Sequence, residues 1–240
     1  MMKKLLFTFT TCLLSISTVF AHYLWVETNP TGILGQPQEV RVYFGEYTYG
    51  VIEDTEGTAF AKMKDFSLWV VDATGKKTLL NTKAKEDHFI ATFTPQSEGV
   101  YTVTLDNDKI DVIDYTQYDF GIFKTHYHSV ATIQVGDAND SSIANNKKGL
   151  SIKKLSAEKG KVVLQVFYKN EVLPKAEVSI FVADQWSKKM ETDEKGMLKL
   201  DLPWDTQYVL EVNKKEEVPG KYKEVPYEFI WHCVTYHFNQ

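Results

Sequence analysis

Apolar and polar residues alternate with a period of two along most of this chain, and that spacing commits it to sheets. Val40-Arg41-Val42-Tyr43-Phe44, Phe66-Ser67-Leu68-Trp69-Val70-Val71 and His88-Phe89-Ile90-Ala91-Thr92-Phe93 are short and rich in β-branched and aromatic residues. So are Val100-Tyr101-Thr102-Val103-Thr104-Leu105 and the stretch from Tyr127 to Val135. Turn signals such as Asp72-Ala73-Thr74-Gly75 and Asp106-Asn107-Asp108 separate them. A second series follows at residues 161–168, 176–182, 197–202, 208–212 and 230–238, and no segment shows convincing helical periodicity. The pattern predicts an all-β chain of two tandem β-sandwich domains. The first, immunoglobulin-like, spans residues 22–136 and the second spans 151–240. Residues 137–150 are small, polar and turn-rich, and read as the linker. Ser97-Glu98-Gly99-Val100-Tyr101 predicts a tyrosine corner in the first sandwich.

The first 21 residues read as a secretory signal peptide. Lys3 and Lys4 give a basic start, Leu5 to Phe20 run apolar, and Val19-Phe20-Ala21 is a small-residue cleavage site. Export to the periplasm is the expectation. After the leader no apolar run approaches the ~18–20 residues of a membrane helix. With Lys3 and Lys4 removed, 25 basic side chains face 32 acidic ones, a net charge of −7. That balance argues against nucleic acid as a partner. Cys12 falls in the leader, so Cys233 alone remains and no intramolecular disulfide can form. Its apolar neighbours mark it as a buried small residue rather than a ligand.

Cleavage after Ala21 makes His22 the amino terminus. Its α-amine and imidazole Nδ1 can then chelate one ion, and a second histidine completes a site for copper or nickel. His126 and His128 form a His-x-His pair that points to one face of a strand. They are the expected partners of His22, with affinity falling as pH drops through ~6.5. His232 is the reserve ligand. Alone among apolar neighbours it reads more readily as a core residue, and its odd spacing from His237 puts those two on opposite faces. His88 and His237 read as structural or surface residues. Glu53, Asp54 and Glu56 lack the spacing of a Ca²⁺ loop and read as a solvated loop. No catalytic triad, phosphate loop or Cys-x-x-Cys stands out, so no enzyme is predicted.

The opening Ala21-His22-Tyr23-Leu24-Trp25-Val26-Glu27 resembles a bacterial family of exported proteins. That family carries a domain of unknown function and is often labelled the periplasmic component of a cobalt/nickel uptake system. Trp186-Ser187-Lys188, Thr192-Asp193, Leu202-Pro203-Trp204 and Tyr208-Val209-Leu210-Glu211-Val212 resemble its later segment. The run from Pro174 to Val212 is also similar to prealbumin-like, carboxypeptidase-regulatory-like modules. The resemblance implies metal handling at the cell envelope, with nickel, cobalt or copper as the ion and a membrane importer as partner. Among ligands it carries over only His22. The competing expectations are a metal-free module binding glycan or protein and, further off, a copper-dependent polysaccharide oxidase.

Overall fold

The computed structural model describes residues 22–137, 146–158 and 160–239. The expected leader and residues 138–145 of the expected linker lie outside them. Among the described residues, α-helix is confined to one turn, Thr58–Ala61. Everything else is strand, turn or 3₁₀ turn, as the alternation predicts.

A single sheet runs through both halves of the chain. Its strands lie in the order Trp186–Glu191, Glu177–Val182, Gln207–Glu216, Phe229–Asn239, Ile122–Val135, Gly99–Asn107, Ser67–Val71 and Lys77–Leu80. A second layer of Tyr23–Thr28, Gln38–Glu46 and Phe89–Phe93 encloses one core, built from Leu24, Val26, Val42, Val103 and Ile133 among others. A third layer of Leu150–Glu158, Lys161–Tyr168 and Met197–Asp201 encloses the other, with Ile152, Leu164, Ile180, Leu198 and Leu210. The two sandwiches therefore share one sheet. The joint is the last strand, which returns from the second half to pair in parallel with Ile122–Val135 and antiparallel with Gln207–Glu216.

The pleat of that joint decides which side chains meet. Ala131, Ile133 and Val135 face the first core, while Val130, Val234 and Tyr236 face the second. Burying such side chains stabilises by about 1.5–3 kcal/mol each. A one-residue slip would turn all of them to the wrong face, so the register is firmly held. Each half also has a tyrosine corner. The Tyr101 hydroxyl donates to the Ser97 carbonyl at 3.0 Å, as predicted. The Tyr208 hydroxyl does the same to the Trp204 carbonyl at 3.0 Å, a repeat of the i, i+4 spacing that the sequence pattern alone did not flag. The strand Leu150–Glu158 was hidden too, because Lys153, Lys154 and Glu158 blur the alternation.

Candidate metal centre

Parallel pairing sets His126 directly opposite His232, with His128 two residues further along. All three side chains leave the sheet on the same face, the one that carries Val130 and Val234 into the second core. One ring nitrogen from each lies within 4.8 Å of the others. His232 is fully buried and His128 is 4% exposed. The rings of His126 and His232 stand perpendicular at 5.0 Å. His126 and His128 come from the first half of the chain, but they project into the gap covered by the second. The cluster thus draws on both halves of the chain. The reserve residue His232 belongs to the cluster. The core reading that competed for it holds for its burial only.

The outward nitrogens of two rings are clamped by carboxylates. His128 Nδ1 donates to Asp106 Oδ1 at 2.7 Å, and His232 Nε2 donates to Glu216 Oε2 at 3.0 Å. A carboxylate only accepts, so these contacts fix the protons on Nδ1 of His128 and Nε2 of His232. Asn146 Nδ2 also sits 2.9 Å from His128 Nδ1, but two donors cannot satisfy each other. The charge-assisted bond to Asp106 prevails, and the Asn146 amide donates to the Leu150 carbonyl at 3.0 Å. Burial works against ionisation of Asp106, yet His128 holds its pKa below the ordinary value. Burial likewise opposes Glu216, yet Lys169, His232 and Tyr168 bring it down to about 2.

On His128 and His232 the inward nitrogens are left with lone pairs and nothing to use them on. His126 Nδ1, His128 Nε2 and His232 Nδ1 are buried without a hydrogen-bond partner among the described residues. A buried polar atom without a partner costs about 1–3 kcal/mol, and three in one place require a shared explanation. Burial, reinforced by neighbouring His232, Lys124 and His128, pushes the His126 pKa down to about 3. Burial lowers His232 as well, against the pull of Glu216. Neutral imidazoles whose other nitrogens are held by carboxylates are the form in which histidine binds transition metals. The donor set fits an ion. At metal–nitrogen distances of about 2.0–2.1 Å the three rings would draw together slightly. Gly149 leaves the space beside them clear: a Cβ there would crowd His128 Nε2 and lie 3.0 Å from His232 Nδ1.

His22 is elsewhere. Its Nε2 meets Glu53 Oε1 at 2.7 Å, its ring lies 5.5 Å from Phe44, and its carbonyl accepts the Tyr127 hydroxyl at 2.7 Å. Tyr127 points to the face opposite His126 and His128, so His22 cannot join them. The expected His22–His126–His128 set is corrected for that reason. Glu53, read as part of a solvated loop, is the residue that holds the His22 ring. His88 bonds Asp87 at 2.6 Å and packs 5.3 Å from the Tyr43 ring. His237 is buried, with burial bringing its pKa down to about 4. Cys233 is buried as expected, and burial pushes its thiol pKa well up. Sequence reasoning missed Asp106, Glu216 and Gly149. Only the pairing of distant strands brings them to the histidines.

Residues 19–216 match a family described as a domain of unknown function, DUF4198. No curated protein matches the chain. Among solved structures, a DUF4785 family protein from Legionella pneumophila subsp. pneumophila str. Philadelphia 1 is 16% identical over 82% of this chain and 52% of its own, with a TM-score of 0.30. The BSP domain of a biofilm associated protein is 12% identical over 87% of this chain and 29% of its own, with a TM-score of 0.23. The chain thus spans about half of the first and under a third of the second. Overlap this loose carries no argument about function.

Proposed function

The chain belongs to the DUF4198 family, and we propose that it reversibly binds a late first-row transition-metal ion through His126, His128 and His232. The single observation that carries this reading is the convergence of three buried, partnerless imidazole nitrogens, two of them on rings clamped by carboxylates. Imidazole donors suit nickel, cobalt, copper and zinc alike. Uptake of nickel or cobalt, or buffering of copper, is the role we favour. The leader expected over residues 1–21 would place it in the periplasm, with delivery to a membrane importer as the next step. No helix among the described residues is long and apolar enough to cross a membrane. In this reading the protein is a carrier and not an enzyme. The oxidase alternative required a second histidine facing His22, and the neighbour of the His22 ring is Glu53.

Calorimetric titration of Ni²⁺, Co²⁺, Cu²⁺ and Zn²⁺ into the exported, natively processed protein tests the proposal. The expected result is tight one-to-one binding that His126→Ala/His128→Ala abolishes. Unchanged affinity in that double variant would sink the ligand assignment. A second reading has its own observation: Phe120 is exposed against Phe123, Phe229 and Trp231, and Tyr118 is exposed against Tyr115, an aromatic ledge suited to glycan. Glycan binding that survives every histidine substitution and fails in Phe120→Ala would favour it instead.

A further inference from the structure

We infer that Gly149 vacates the seat of the ion, and that the site therefore takes a bare divalent ion and not a metal chelate. The inference rests on the trihistidine reading above. Gly149 is buried, and its φ lies outside the left-handed region. Backbone conformation therefore does not require glycine here. Space does. A Cβ at this position would fall well inside contact distance of His128 Nε2 and 3.0 Å from His232 Nδ1. Those are two of the cluster's three unpartnered nitrogens. A metal–imidazole bond is about 2.0–2.1 Å long, so an ion shared by these rings needs the volume that a side chain at 149 would take.

The surroundings leave little freedom to yield. The Gly149 amide donates to Asn146 Oδ1 at 3.1 Å, and its carbonyl accepts from the Lys169 amide at 2.9 Å. Both backbone groups are engaged, which holds the Gly149 peptide in place. His128 is held on its far side by Asp106 at 2.7 Å. The three donor nitrogens are sealed from solvent. For the ion to reach them, a multidentate chelator that keeps several of its own atoms on the metal has to let go. A cleft of about 560 Å³ lined by His126, His128, Asp106 and Asp108 lies alongside. It gives the chelator a place to be left behind.

Two measurements test this. The first is titration of Ni²⁺ into wild type and Gly149→Ala, with circular dichroism and melting to verify the fold. Loss of a group that only orients a ligand weakens metal binding about 10–100-fold. A methyl group in the seat itself should weaken it by about 100-fold or more. The second uses wild type alone and so does not depend on the variant folding. Ni²⁺ premixed with radiolabelled citrate is added to the protein, the mixture is desalted, and metal and label are counted. Nickel retained without citrate is the expected result. Wild-type affinity in folded Gly149→Ala, or citrate retained one-to-one with nickel, overturns the inference and leaves the trihistidine reading standing. A wild-type protein that binds none of Ni²⁺, Co²⁺, Cu²⁺ and Zn²⁺ removes that reading, and this inference with it.

Discussion

Two histidine environments lie on opposite faces of the strand Ile122–Val135, and they solve the same problem in opposite ways. On one face His22, with a side chain 30% exposed, gives its Nε2 to Glu53 at 2.7 Å. That pair is complete within the protein, and solvent reaches it. On the other face the carboxylates Asp106 and Glu216 take the outer nitrogens and leave the inner ones buried and unspent. The same two residue types make a closed contact in one place and an open one in the other. What differs is which nitrogen the carboxylate holds and whether water can reach the rest. A histidine count cannot show this, and neither can proximity to an acid.

Four experiments press on that contrast. The largest effect belongs to the ligands: His232→Ala should remove tight metal binding as fully as His126→Ala/His128→Ala does, read by calorimetry. Next come the clamps. Asp106→Asn and Glu216→Gln should each cost about 10–100-fold in affinity while leaving circular dichroism unchanged. An equal loss from Glu53→Gln would erase the distinction between the two faces.

The third concerns acid. Histidines in the unfolded chain take up protons near the ordinary imidazole pKa of about 6.5, whereas folded His126 resists down to about 3 and folded His237 down to about 4. Between those limits the unfolded chain binds more protons, so stability contributed by the neutral rings is present above about pH 6.5 and is lost as pH falls toward 4 and then 3. The melting temperature of the metal-free protein should decline through that window, and His237→Phe should flatten the part above pH 4. The smallest effect is at His22. One extra residue before it, or His22→Ala, should leave affinity at the trihistidine site unchanged.

The fold was largely legible in the sequence, since period two survives in any short stretch of strand. The spans at 161–168 and 230–238 were readable within a residue, and so was the His126-x-His128 face. His232 was readable only as a reserve, because its partner strand lies about a hundred residues away and nothing local announces a parallel pairing. Asp106 sat in what read as a turn, and the strand Gly99–Asn107 runs through it. Gly149 closed a polar stretch full of similar residues. His22 drew weight because a chain terminus is conspicuous in sequence, but position along a chain says nothing about which face of a sheet a side chain meets.

The return of the last strand also sets an order of events. His126 and His128 are synthesised about a hundred residues before their third partner, His232. Joining strands so far apart is a slow, non-local step. A chain stalled before residue 229 carries two of the histidines, both clamping acids and the glycine, yet lacks the site. On the trihistidine reading, metal capture therefore reports that the strand Phe229–Asn239 has docked beside Ile122–Val135.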